Sequence, residues 1–146
     1  MILDREALKA EGVEGNWALG IRDVVRYRDL DTYNHVNNVV YHSWFEDVRV
    51  MFLERAMLKG RGEEGVMPVM RTADITFDQQ LFSGAAYLVL VKPIKIGNSS
   101  FVLGYEVRSE GQVVVAGSSV IVMSDLKAGK SVPLSDEQRA SIEAYL

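Results

Sequence analysis

The stretch from Val36 to Leu58 contains neither glycine nor proline, and it limits more sharply than any other what this chain can fold into. Val36, Val40, Trp44, Val48, Met51 and Phe52 recur at helical spacing, and Gly60 and Gly62 follow. The pattern predicts one helix of about six turns. Val39, Phe45, Val50, Leu53, Ala56 and Met57 fill the remaining positions, so the apolar surface is wider than the single stripe of a helix resting on a flat sheet. Something has to wrap around it.

The rest of the chain offers strands for that purpose. Trp17, Leu19, Ile21, Val25 and Tyr27 alternate over Trp17–Tyr27, with Asp23 the one break, which reads as a strand with one buried face. Met67–Phe77, Ala86–Ile96, Phe101–Arg108 and Gln112–Met123 are rich in Val, Ile and aromatic residues and predict four more. Tight hairpins are expected at Gly97-Asn98-Ser99 and Glu110-Gly111-Gln112, and a looser turn at Leu81-Phe82-Ser83-Gly84, which favours antiparallel pairing. Ser135-Asp136-Glu137-Gln138 is a capping box that opens a short terminal helix. Strand, long helix, then four strands is an α+β order, because a parallel sheet would need a helix between successive strands. One curved sheet around one helix satisfies it. Leu88, Leu90 and Ile94 oppose Tyr87, Val89 and Val91 along one strand, so the sheet is expected to keep an apolar outer face and an open edge, and to bury them by self-association.

At 146 residues, with no internal repeat, low-complexity tract or linker, the expectation is a single domain over 1–146. Hydrophobic residues at 48% and charged residues at 25% are globular usage. The absence of cysteine removes thiolate chemistry. A net charge of −4 argues against nonspecific nucleic-acid binding. No apolar run approaches the roughly 18 residues of a membrane span, and Met1–Glu6 lacks a basic stretch leading into one, so a cytoplasmic address without membrane association is expected.

The densest polar cluster, Asp29, Asp31, Asn34, His35, Asn37 and Asn38, stands where the first strand passes into the apolar helix. Free amides and the dipole at a helix start stabilise negative charge, so a carbonyl oxygen that becomes anionic would be polarised there and a nearby carboxylate would stay ionised. An ionised Asp31 can attack such a carbonyl or deprotonate a water. The same residue types also cap helices and shape turns, and Asp29 and Asn34 read best that way. His42 and Glu46 follow His35 on one helical face, but a metal set with Asp31 is not expected. No G-x-S-x-G elbow and no phosphate-binding G-x-x-x-x-G-K-[ST] run occurs. Lys92 and Lys95, with Lys59 and Arg61, are candidates to meet phosphates and equally read as a solvated face.

Arg28-Asp29-Leu30-Asp31-Thr32-Tyr33-Asn34-His35-Val36-Asn37-Asn38-Val39-Val40-Tyr41 resembles the signature D-x-D-x-x-x-H-V-N-N-x-x-Y of the 4-hydroxybenzoyl-CoA thioesterase-like branch of the hot-dog superfamily, and the matching stretch of acyl-ACP thioesterases. Weaker likeness extends through Tyr105-Glu106-Val107 and Ala116-Gly117 to Pro133-Leu134. The resemblance implies a hot-dog fold, with a curved antiparallel sheet of five or six strands around one long helix. It implies hydrolysis of an acyl-CoA or acyl-carrier-protein thioester, with no cofactor beyond the CoA of the substrate. It also implies a homodimer, or a dimer of dimers, with sites at the dimer interface. Asp31 takes the place of the catalytic carboxylate and His35 that of the motif His, while Tyr33, Val36, Asn38 and Tyr41 are expected to meet substrate. A non-hydrolytic acyl-thioester binding module and an acyl-thioester hydratase or dehydratase are the alternatives on the same fold.

Overall fold

A computed structural model describes residues 1–56 and 65–146. The long helix, α2, runs Asn38–Arg55, with its C-terminal cap at Ala56. The expected end at Leu58 and the stop signals Gly60 and Gly62 lie outside the described residues. Its start falls two residues later than the apolar spacing suggests, because Asn37 is the cap: its ψ of 132° is extended, and its side chain accepts from the Val39 amide. Val36 instead bridges to Leu30 and donates its amide to the Leu81 carbonyl.

Among the described residues, seven strands form one antiparallel sheet: β1 (Ile2–Asp4), β2 (Leu19–Val24), β3 (Val66–Phe77), β4 (Ala86–Ile96), β5 (Ser100–Ser109), β6 (Gln112–Asp125) and β7 (Lys130–Ser131). The order is β1-β2-β4-β5-β6-β3, with β7 also on β6. The expected five or six strands thus become seven, by the addition of two pieces of three and two residues, too short to show a period. The hairpin at Glu110-Gly111 closes with both residues at positive φ, 52° and 75°, the conformation that matches the twist of paired strands. The strand expected over Trp17–Tyr27 is shorter than its alternation, because a 3₁₀ turn at Tyr27–Asp29 ends it.

The sheet curls round α2. Trp44 stacks on Tyr87 of β4 with ring centroids 3.9 Å apart, Phe45 stacks on Tyr105 of β5 at 4.8 Å, and Tyr41 meets Phe77 of the edge strand β3 at 5.8 Å. Three strands spread across the sheet therefore touch one helix, which is how its wide apolar surface is covered. Gly117 in β6 makes this approach possible: a Cβ there would stand 2.7 Å from the Asp74 carbonyl oxygen and 3.0 Å from the Phe45 ring. This is the hot-dog arrangement. The helix α3 (Asp136–Glu143) starts at the Ser135–Gln138 capping box and brings Tyr145 against Phe52.

The outer face differs from expectation. The helix α1 (Arg5–Ala10) lies on it, and Leu3, Leu8 and Trp17 bury Leu88 and Leu90 within the same chain. Those two leucines therefore do not call for a partner; Ile94 remains 53% exposed. What stays open is the edge strand β3, twelve residues long, with Val69, Met70 and Phe77 exposed. Among the described residues no helix is long and apolar enough to cross a membrane.

Candidate active site

The polar loop is organised by its own side chains. Asp29 accepts the Arg26 amide on Oδ2 at 2.8 Å and the Asn37 amide on its carbonyl at 2.9 Å, so it fixes the turn that delivers the chain to α2. Asn34 takes the left-handed conformation, with φ of 63°, that Asn tolerates better than most residues. Asp31 accepts the Tyr33 amide on Oδ1 at 2.8 Å and leaves Oδ2 3.9 Å from His35 Nδ1. The side chains of Asp31 and His35 are 24% and 17% exposed, sheltered without being sealed. Tyr33 stacks on the His35 ring at 5.8 Å and is itself exposed, and His35 Nδ1 lies 3.3 Å from the Val36 carbonyl.

At the start of α2 the amides are distributed unequally. Val39 donates to the Asn37 side chain and Val40 to the Asn37 carbonyl. Among the described residues no acceptor meets the Asn38 amide, which leaves it for a ligand or water at the positive end of the helix. A cavity of about 530 Å³ opens beside it. Three of the expected residues, Val36, Asn38 and Tyr41, line this cavity together with Phe77, Gln79 and Phe82. Asp31, Tyr33 and His35 are not in its wall; they stand on the loop that leads into it.

Phe77, Gln79 and Phe82 carry no sequence signal of a site. They come from the end of β3 and the turn beyond it, and the Tyr41–Phe77 contact and the bond from Val36 to Leu81 bring that segment to the helix start. Tyr41 is 2% exposed, and among the described residues its hydroxyl finds no hydrogen bond of acceptable geometry. Burial pushes its pKa up to about 12, an effect only partly offset by the Leu81 main chain nearby. It is a neutral phenol across the physiological range, able to donate and unable to serve as a base.

The remaining candidates stand apart. Lys92 donates to the Gly15 carbonyl at 2.6 Å and lies over the Trp17 ring, while Lys95 is exposed further along β4. Lys59 and Arg61 lie outside the described residues. Asp31, His42 and Glu46 do not converge: among the described residues no three His, Asp or Glu side chains are placed to hold a metal ion.

A long helix wrapped by an antiparallel sheet, with an acidic loop and a free amide at its start, defines a hot-dog protein of the thioesterase type. The chain belongs to the thioesterase-like superfamily, whose sequence pattern matches residues 25–142. It is similar to the protein YsmA of Bacillus subtilis (strain 168), with 26% identity over 119 residues that cover 81% of this chain and 80% of that one. Among solved structures it is similar to a thioesterase superfamily protein from Jannaschia sp. CCS1, at 25% identity and a TM-score of 0.86 over 97% of this chain and 91% of that one. It is also similar to a thioesterase from Thermus thermophilus complexed with coenzyme A and Zn, at 26% identity and a TM-score of 0.78, covering 90% and 96% of the two chains.

Proposed function

We propose that this protein hydrolyses an acyl-CoA thioester to a free carboxylic acid and coenzyme A, with Asp31 as nucleophile or general base and the Asn38 amide polarising the carbonyl. The observation that carries the reading is the unpartnered Asn38 amide at the start of α2, bordering a cavity and preceded by a loop that leaves Asp31 Oδ2 without a short hydrogen bond. A donor fixed at a helix start favours the tetrahedral oxyanion over the ground-state carbonyl and needs no reorganisation when charge develops. His35, next to Asp31 Oδ2, orients that oxygen or donates to substrate. Tyr33, Val36 and Tyr41 meet the substrate. No cofactor is required beyond the CoA that the substrate carries. The Thermus thermophilus relative, complexed with coenzyme A, supports the choice of thioester.

The working unit in this reading is a homodimer that pairs its β3 edges, and dimers of dimers built from it. An exposed edge of twelve residues bearing Val69, Met70 and Phe77 is the surface a second copy would cover, whereas the opposite edge, β1, has only three residues. Pairing there would bring a second chain near the cavity that Phe77 lines, and would complete walls a single chain leaves open.

The test is a panel of short, long and aromatic acyl-CoA thioesters, followed by thiol release from wild type and Asp31→Asn. The side-chain oxygen of Asn still accepts from the Tyr33 amide, so the turn survives while the charge is lost. Turnover is expected to fall by a factor on the order of 10² to 10⁴. Equal turnover by the two proteins would remove Asp31 from the mechanism, and binding without thiol release across the panel would make the protein a binding module.

A further inference from the structure

A second, smaller hollow of about 190 Å³ runs between α2 and the β3–β6 pair. One wall is a stripe of the helix that includes Val39, Glu46 and Arg49, and the floor includes Tyr105 and Ser119. This stripe lies beside the face that Trp44, Val48 and Phe52 bury, and the aromatic and apolar spacing of the helix gives no reason for an arginine to be sheltered there.

The hydrogen bonds on the floor leave donor capacity over. Arg49 has a side chain only 13% exposed, and its Nη1 donates to Tyr105 Oη at 3.4 Å. A guanidinium has no acceptor, so Tyr105 Oη accepts from Arg49, and the 2.5 Å contact between Tyr105 Oη and Ser119 Oγ uses one of their two hydroxyl hydrogens, whichever oxygen donates. The other hydroxyl hydrogen is left over, on a pair in which both residues are buried. Arg49 is also under-matched: Glu46, the nearest carboxylate, is 67% exposed and stands at 4.0 Å, beyond hydrogen-bond range. Among the described residues, five N–H donors with one marginal bond leave a sheltered cation with most of its capacity unused. Both Arg49 and the Tyr105–Ser119 pair have hydrogens to give, so a matching ligand presents acceptor oxygens, and an anionic one would match the charge. Glu46 and Asp74 stand at the exposed rim, where water and salt screen them.

The hollow and the cavity at the helix start flank neighbouring residues in the first turn of α2, Val39 bordering the first and Asn38 the second. Arg49 lies about three turns further on, about 16 Å along the axis, with a side chain that leans back toward the helix start, so an acyl group of roughly six carbons bridges the gap. We propose that this hollow receives a carboxylate at the far end of the acyl group, held by Arg49 and the Tyr105–Ser119 pair, which makes the substrate a monothioester of a dicarboxylic acid. The assignment rests on the thioester reading given above.

It is tested without hydrolysis, by calorimetric titration of the intact protein with two non-hydrolysable CoA thioethers of matched length, the S-(5-carboxypentyl) and the S-hexyl compound. Wild type is expected to bind the carboxylated ligand more tightly by about tenfold or more. In Arg49→Met the ratio falls to about one, and in Ser119→Ala it falls severalfold. Equal or tighter binding of the hexyl compound by wild type, or no binding of either, overturns the proposal, even if no variant folds. An unchanged ratio in a folded Arg49→Met does the same. Thiol release from the corresponding adipoyl and hexanoyl thioesters is measured separately: a kept binding preference with no release supports the hollow and defeats hydrolysis, and release without a preference does the reverse.

Discussion

Replacing Tyr41 by Phe separates a structural hydroxyl from a functional one. The ring sits against Trp44 and Phe77, with centroids 5.1 and 5.8 Å away, and those contacts survive the change. What is lost is an oxygen that is buried and makes no hydrogen bond of acceptable geometry. An unmatched buried polar group costs about 1–3 kcal/mol, while the void left by one oxygen offsets a fraction of that. Tyr41→Phe should therefore be more stable by about 1 kcal/mol near neutral pH, a rise in Tm of about 2–4 °C for a chain of this size. Alkaline pH gives an independent check with a definite sign. The folded pKa of Tyr41 is raised to about 12 by burial, so its contribution to stability is complete below the unfolded value near about 10 and is lost as pH climbs from there toward the folded one. Wild type should lose about 3 kcal/mol over that window, about half of it by pH 11, and the variant should lose less. Urea melts at about pH 7, 10 and 11 measure both effects. If Tyr41→Phe is instead destabilised by about 1 kcal/mol or more at neutral pH, the hydroxyl has a partner in solution and its orphaned state is refuted.

Three further outcomes follow from other contacts. Asn37→Ala removes the side-chain cap of α2 and should lower stability by about 1 kcal/mol in a denaturant melt. Gly117→Ala forces a Cβ to within 2.7 Å of the Asp74 carbonyl and 3.0 Å of Phe45, so a loss of about 1–3 kcal/mol and a weakened β3–β6 pair are expected, the latter read as faster amide exchange along β3. Sedimentation at micromolar concentration should show a dimer that Met70→Lys shifts toward monomer; a strictly monomeric wild type would defeat the β3 pairing.

Much of the architecture is legible in the sequence because it is written in long periods. α2 shows itself through Val40, Trp44, Val48 and Phe52, the β5–β6 hairpin through Glu110-Gly111, and α3 through the Ser135–Gln138 box. Short pieces are not legible: α1 has six residues, less than two turns, and only its packing of Leu8 on Leu88 and Leu90 reveals why the outer face is apolar. Strand order is hidden for a different reason. Alternation reports which side of a strand is buried and says nothing about its neighbours. That β3 pairs with β6 at the far edge, bringing Phe77 to Tyr41, cannot be read from either stretch.

Within the site, unused hydrogen-bonding capacity sorts residues that composition leaves equivalent. Asp29 and Asp31 are the same side chain two positions apart, and both hold a turn. Asp29 binds the Arg26 amide with its carboxylate and the Asn37 amide with its carbonyl, so the geometry of the loop depends on it. Asp31 needs only Oδ1 for the Tyr33 amide, and its Oδ2 faces His35 at 3.9 Å without a short bond. The two should therefore respond oppositely to substitution. Asp29→Ala should lower the melting midpoint by the equivalent of about 1 kcal/mol, with turnover per folded molecule falling only as far as the loop is displaced. Asp31→Asn should leave the midpoint within about 0.5 kcal/mol of wild type and remove turnover. Parallel melts and thiol-release assays on the pair decide the matter, and a destabilised Asp31→Asn that retains its activity would show that both aspartates belong to the scaffold.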